Sequence, residues 1–147
     1  KSNSFPAVGA QSERSRRALL EAFTEVPSIL FASQSFWEGV DVPGDALSLV
    51  IIDKLPFAPP NEPLTAARIE AVRAKGGEPF SGFQVPQAAL ALRQGFGRLI
   101  RTRKDRGIVA LLDVRASRKR YGEAFLAALP PARRVRSFAE LQRWYRG

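Results

Sequence analysis

The sequence Gln94-Gly-Phe-Gly-Arg-Leu-Ile-Arg101 places a glutamine and two arginines on one side of a helix. At about 100° per residue, Gln94, Arg98 and Arg101 lie within roughly 60° of one another. The opposite side is apolar and consists of Ala89, Leu92, Phe96, Leu99 and Ile100. An apolar side docks on a core, and a guanidinium is a rigid fork that binds two phosphate oxygens at once. This stretch therefore predicts a core-packed helix that presents arginines to phosphate.

Apolar runs and helical segments alternate along the rest of the chain. Short apolar runs predict buried strands at residues 28–32, 47–53 and 108–113, and a short edge strand at 133–136. Periodicity and capping signals predict helices at 14–23 with Ser12 as N-cap, at 65–75 closed by Gly76-Gly77, at 86–101, at 119–129, and from the capping box Ser137-Phe-Ala-Glu140 to about residue 145. Residues 1–10, 55–63 and 78–85 read as loops. Such alternation implies an α/β fold with a parallel sheet covered on both faces.

The composition is that of one domain with a polyanionic partner. The chain has 147 residues, 45% of them hydrophobic, and 23 Lys and Arg against 14 Asp and Glu, for a net charge of +9. A charge this high suits nucleic acid, although a merely soluble basic surface is the plain alternative. The absence of cysteine and histidine excludes disulfides, iron–sulfur clusters and the common transition-metal sites within this chain. No apolar run is long enough to span a membrane and the start is not a signal peptide, so a cytoplasmic location is expected.

A second motif, Ser35-Phe-Trp-Glu-Gly-Val-Asp-Val-Pro-Gly44, directly follows the first predicted strand. Asp113-Val-Arg115 likewise follows the last apolar run. Both fit the rule that functional residues in α/β folds lie beyond the carboxyl ends of parallel strands. The chain contains neither a G-x-x-x-x-G-K-[ST] phosphate loop nor a D-E-A-H-like box, so it has no nucleotide cradle of its own.

Together the two motifs resemble motifs V and VI of superfamily 2 helicases. The motif sequences are most similar to those of the DinG/XPD-like branch, in which S-F-W-E-G-V-D and R-Q-G-x-G-R-x-I-R recur. The resemblance covers about residues 11–147. It implies a RecA-like three-layer sandwich with a mainly parallel sheet, and it leaves open whether the first strand of that layout is present. Residues 1–147 would then be the second RecA-like motor domain of a larger DNA helicase, beginning with a loop at 1–10.

The resemblance also implies roles for individual residues. Arg101 would be the arginine finger at the γ-phosphate, and Arg98 and Gln94 would sense the phosphate and the attacking water. Gly39 and Asp41 would face the nucleotide. The residues expected along the path of single-stranded DNA are Ser35, Trp37, Glu38 and Lys54. The segment Lys54-Leu-Pro-Phe-Ala-Pro-Pro60 is either one wall of the DNA groove or a rigid connection, and Arg115 contacts Asp41, a phosphate or nothing.

The expected partners follow from the same resemblance. ATP with Mg would be bound mainly by the first motor domain, which is absent here, and this chain alone would be inactive as an ATPase. Single-stranded DNA and that first motor domain are the expected partners. The alternative is a free-standing basic nucleic-acid-binding module without catalysis. An RNA helicase or a nuclease-fused relative is a third reading, and it differs only in regions outside this chain.

Overall fold

Two pairs of parallel strands form the β structure of the computed structural model, which describes residues 6–9, 15–33, 47–97 and 107–146. Strand β1 (Ala7–Gly9) pairs with β2 (Ile29–Phe31), and β3 (Leu49–Ile52) pairs with β4 (Ile108–Leu111). The register of the second pair runs from Leu49 opposite Ile108 to Ile52 opposite Leu111. The carboxyl ends of β3 and β4 therefore lie at the same edge.

Helices connect these strands. In chain order the described ones are α1 (Arg16–Glu25), α2 (Pro63–Ala74), a π-helical turn (Phe80–Gln84), α3 (Val85–Gly97), α4 (Arg115–Arg118), α5 (Gly122–Ala128) and α6 (Phe138–Arg146). Helix α2 has proline at its first position, and the Glu62 carboxylate accepts the N–H groups of Leu64 and Thr65. It ends at a glycine in the left-handed region, Gly76 with φ of +74°, as the sequence predicts. None of the described helices is long and apolar enough to cross a membrane.

The main hydrophobic core lies between α3, α5 and the β3–β4 pair. Its buried members are Ile52, Leu55, Val85, Ala88, Ala89, Leu92, Ala116 and Phe125. A smaller cluster forms around Leu19 of α1 with Leu20, Phe23, Leu30 and Leu47. The core therefore fixes α3 against the sheet edge where residues beyond β3 and β4 emerge.

The strands are less buried than the sequence predicts. In β2, Leu30 packs near Leu19, but Phe31 is 65% exposed and Ile29 is exposed too. In β3, Ile52 is buried while Ile51 is exposed. Successive side chains of a strand point to opposite faces, so these strands have one covered face, and the prediction of fully buried strands is wrong for them.

Several predicted boundaries are also corrected. Strand β1 falls inside the segment 1–10 that was predicted to be a loop. Helix α1 begins at residue 16 and its N-cap is Ser15, whose Oγ accepts the N–H of Ala18, rather than Ser12. The predicted loop 78–85 contains the π-helical turn, because the Glu78 carboxylate accepts the N–H groups of Phe80 and Ser81 and so caps its start.

The C-terminal part differs as well. The predicted helix 119–129 is shortened to α5, which begins only at Gly122, and the short α4 lies before the predicted range. Gly122 lies too close to the carbonyl of Ala116 to bear a side chain. Residues 133–136 form no strand, and Arg134 instead donates to the carbonyl of Leu126. The capping box is half confirmed: the Glu140 N–H donates to Ser137 Oγ, but the Glu140 carboxylate accepts from another N–H, that of Arg136.

Candidate functional site

Two of the residues predicted for the site fall within the described structure, Gln94 on α3 and Lys54 just beyond β3. Both side chains are exposed. The others lie outside the described residues: Ser35, Trp37, Glu38, Gly39, Asp41, Arg98 and Arg101. That these seven residues join Gln94 and Lys54 in one site therefore stays a prediction.

Helix α3 has the two faces that its sequence predicts. Ala89, Leu92 and Phe96 are buried, and Leu92 is only 1% exposed. Gln94 is exposed on the other side. The helix packs on α5 and shares the main core with Ile52 at the end of β3. Gln94 is therefore carried on a firmly positioned backbone, which is what a residue that senses a ligand requires.

Asp113 is the best-connected polar residue at the carboxyl edge of β3 and β4. Its side chain is 6% exposed. One oxygen accepts the backbone N–H of Leu55 at 2.8 Å, and the other accepts the N–H of Arg115 at 2.9 Å. The Arg115 guanidinium donates to both oxygens at 2.6–2.9 Å. These hydrogen bonds, first among them that of the Arg115 side chain, hold the pKa of Asp113 well below its usual range.

Arg115 has a carboxylate partner that the sequence did not predict, whereas the predicted contact with Asp41 lies outside the described residues. Its guanidinium pairs with Asp113, and its central carbon lies 5.6 Å from the centroid of the Phe57 ring. The hydrogen bond to Asp113 raises the pKa of Arg115, so the cation is fixed in its charged form. A cation over an aromatic face within about 6 Å is attracted by the ring. Arg115 therefore joins the end of β4 to the segment after β3.

An aromatic cluster anchors that segment on its other side. Phe57 stacks on Phe80 with ring centroids 5.8 Å apart, and its ring also meets Tyr121 and Phe125 edge-on at 6.0 and 5.4 Å. Edge-to-face and offset-stacked geometries at such distances are favourable. The segment 54–60 is therefore a firmly held connection, which agrees with one of its two predicted roles. Its other role, as a wall of a DNA groove, stays a prediction.

The sequence did not predict the hydrogen bonds of Asp113 or the ring contacts of Phe57. Asp113 and Arg115 were singled out as a pair that follows a strand, but their mutual contact and the hydrogen bond to Leu55 were not predicted. The available signal was an acid placed at the end of β4, opposite the end of β3, together with an arginine two residues later. The aromatic contacts of Phe57 left no local signal, because their partners lie in distant segments.

A small hollow is lined by Ala58, Thr65, Phe83, Gln84 and Gln87, and its space of about 190 Å³ is partly open to solvent. Within the part of the chain that the structure describes, no group of three or more Asp and Glu side chains could hold a metal ion.

Comparison with known proteins gives a consistent family. Residues 1–132 match the family model of the helicase C-terminal domain. The chain is 57% identical over 127 residues to ATP-dependent DNA helicase YoaA of Haemophilus influenzae, a match over 86% of this chain and 20% of that protein. It is 50% identical over 125 residues to ATP-dependent helicase DinG of Mycobacterium tuberculosis, over 84% of this chain and 19% of that protein. It is also 47% identical over 113 residues to the 3'-5' exonuclease DinG of Bacillus subtilis, over 76% of this chain and 12% of that protein. The chain thus spans a fifth or less of the length of these relatives.

Proposed function

The chain belongs to the family of helicase C-terminal domains, and we propose that it is the second motor domain of an ATP-dependent DNA helicase of the DinG and YoaA type. The relatives that carry those names contain the matching sequence as about a fifth of their length. The proposed activity is therefore that of a larger protein, in which this domain is one part. The location that we propose for this larger protein is the cytoplasm.

We propose further that the domain folds as a RecA-like three-layer sandwich with a mainly parallel sheet. Strands β3 and β4 are parallel neighbours, and the chain between them passes through α2, the π-helical turn and α3. Parallel neighbours need such a crossover connection. Lys54 and Asp113 then lie at the edge where α/β folds place their functional residues.

The observation that carries the proposal is the amphipathic α3 helix, whose sequence continues into two arginines. Gln94 occupies the exposed side of α3. In the pattern Gln94-x-x-Gly-Arg98-x-x-Arg101, helical spacing predicts that both arginines lie on the same side as Gln94. An arginine supplied by a second domain stabilises the charge that develops during phosphoryl transfer, and so makes hydrolysis depend on domain closure.

In this proposal the first motor domain holds ATP and its Mg²⁺, and this chain completes the site. Arg101 is the arginine finger, while Arg98 and Gln94 contact the phosphate and position the attacking water. Gly39 and Asp41 face the nucleotide. The residues proposed to contact single-stranded DNA are Ser35, Trp37, Glu38 and Lys54. Closure on ATP and reopening after hydrolysis would move the strand past these residues.

The basic charge of the chain favours a second candidate, a free-standing nucleic-acid-binding module without catalysis. The two candidates differ in the behaviour of the full-length protein. A helicase requires ATP hydrolysis stimulated by single-stranded DNA, whereas a binding module has none. In both cases the 147-residue chain alone should release no phosphate from ATP, since it lacks a phosphate loop.

The test uses Arg101→Ala in the full-length helicase. Steady-state ATPase activity with single-stranded DNA should fall by about 10³–10⁵-fold, the usual worth of an arginine finger, while DNA binding stays near the wild-type level. Arg101→Lys should not restore activity, because an ammonium lacks the two-pronged geometry. Arg68→Ala is the matched control, since Arg68 is an exposed arginine of α2 and lies outside both motifs. Wild-type turnover in Arg101→Ala would remove the basis of the arginine-finger assignment.

A further inference from the structure

We infer that Asp113 is a positioning residue for DNA binding, which holds the backbone directly after Lys54 so that this lysine is presented at the carboxyl edge of β3 and β4. The inference rests on the proposed function, because Lys54 is a DNA contact only if the domain tracks DNA. It adds a residue outside motifs V and VI, and a mechanism by which that residue acts through another.

The backbone around Lys54 is tied to the end of β4 at two points. Before it, the carbonyl oxygen of Ile52 accepts the N–H of Leu112 at 2.9 Å. After it, the N–H of Leu55 donates to the Asp113 carboxylate at 2.8 Å. The partners in these two hydrogen bonds, Leu112 and Asp113, are consecutive residues directly after β4. The two residues between these ties, Asp53 and Lys54, therefore form a short bridge whose course is fixed from both ends.

The side chains beside this bridge are buried, which leaves Lys54 facing solvent. Ile52 and Leu55 are both members of the main core, and Leu55 is 4% exposed. Lys54 itself is exposed. A flexible lysine loses side-chain entropy when it binds, and a fixed backbone limits the further entropy that binding costs. The ties at Ile52 and Leu55 thus preorganise the lysine without touching its ammonium group.

The chemistry of Asp113 argues against a direct DNA contact. A carboxylate repels phosphate, and this one is covered and paired with Arg115 at 2.6 Å. Simple electrostatics predicts that removal of an acid from a DNA-binding face raises affinity. Positioning predicts the reverse, because loss of the Leu55 tie releases the bridge. The opposite signs of the two effects make the inference testable.

The first measurement follows the tie itself by amide hydrogen exchange of the 147-residue chain. In Asp113→Ala, exchange of the Leu55 N–H should rise by about tenfold or more, as expected for the loss of a hydrogen bond to a charged group. The Ile108 N–H, which donates to the Ser48 carbonyl at the other end of the same strand pair, should keep its rate. Asp113→Asn retains an acceptor oxygen and should keep Leu55 protected. A general loss of stability would raise both rates together.

The second measurement is binding of fluorescent oligo-dT at several salt concentrations. Each neutralised phosphate contributes about 0.7 to the log–log slope for a single strand. Lys54→Ala should therefore lower the slope by about 0.7, and Asp113→Ala should lower it by the same amount although it removes a negative charge. The double variant should show no further loss. Glu70→Ala is the control, because Glu70 pairs with Arg73 at the same 2.6 Å but in an exposed position on α2.

The outcomes separate this inference from the proposal on which it rests. Unchanged slope or tighter binding in Asp113→Ala overturns the positioning role and leaves the helicase assignment standing. Absence of salt-dependent binding by the wild-type chain at low salt overturns both. If Asp113→Ala does not fold, Asp113→Ser takes its place, since its hydroxyl stops one atom short of the carboxylate oxygens. A wild-type slope in a folded Asp113→Ser variant then counts against the inference in the same way.

Discussion

Two leucines of α3 provide a stringent test of how this helix is placed. Leu92 is 1% exposed and belongs to the main core, whereas Leu90, two residues earlier, is 54% exposed. The same substitution, leucine to alanine, can therefore be made at both positions. Helix propensity differs little between the two residues, so any difference between the variants reports on burial alone.

The magnitude for Leu92→Ala follows from its burial. Loss of buried methyl and methylene groups at about 0.8 kcal/mol each gives roughly 2.4 kcal/mol, and the cavity left behind brings the total to about 2–5 kcal/mol. For a chain near this size each kcal/mol lowers Tm by roughly 2–4 °C, so we expect a fall of roughly 4–20 °C. Leu90→Ala should change the free energy of unfolding by no more than about 0.5 kcal/mol.

The assay is urea unfolding of the 147-residue chain, followed by circular dichroism, with thermal melts in parallel. The midpoint should move in Leu92→Ala while the denaturant slope stays constant, because the slope reports the surface exposed on unfolding. Equal losses in both variants, or a larger loss in Leu90→Ala, would show that α3 is rotated from the orientation described. The exposed placement of Gln94, and with it the proposed site, would then be wrong as well.

Two further predictions concern Gly122, at the start of α5, and Asp113, beyond the end of β4. In thermal melts, Gly122→Ala should destabilise the chain by about 1–3 kcal/mol, because the new Cβ would lie 2.7 Å from the carbonyl carbon of Ala116. Gly82→Ala is the control and should be nearly neutral in the same melts, because there is open space around Gly82. The stability that Asp113 contributes is complete above its unfolded-state pKa of about 3.9 and is lost as the pH falls through its lower folded-state value. The stability gap between wild type and Asp113→Asn should therefore be constant above about pH 5 and shrink below about pH 4.

The sequence predicted best where a local signal decides the structure. Strands β3 and β4 and helix α2 were expected near their observed positions, since β-branched runs and the Gly76-Gly77 pair act within a few residues, although α2 begins at Pro63, which was assigned to the preceding loop. Helix α3 was expected too, and Ala89, Leu92 and Phe96, which the periodicity indicated, are among its buried residues. Of the site, the exposure of Gln94 and Lys54 agrees with their predicted roles.

The sequence predicted poorly where a distant partner decides. Strand β1 is three residues long and becomes a strand only by pairing with β2. The break between α4 and α5 depends on the approach of Gly122 to a carbonyl of the preceding turn. The pairing of Asp113 with Leu55 and Arg115 arises because two strand ends meet at one edge. None of these contacts leaves a periodic trace in the residues involved. The roles of Arg98, Arg101 and Asp41 came from family resemblance.

The tie between Leu55 and Asp113 joins residues 58 positions apart, and this has a consequence for synthesis of the protein. When β3 leaves the ribosome, its parallel partner β4 has not yet been made. The β-branched edge of β3 stays unpaired while α2 and α3 emerge. At about 5–20 residues per second, that interval lasts several seconds. Leu49–Ile52 is therefore the segment that a chaperone would be expected to protect on the nascent chain, and polar replacement of the exposed Ile51 should improve the soluble yield without loss of the folded core.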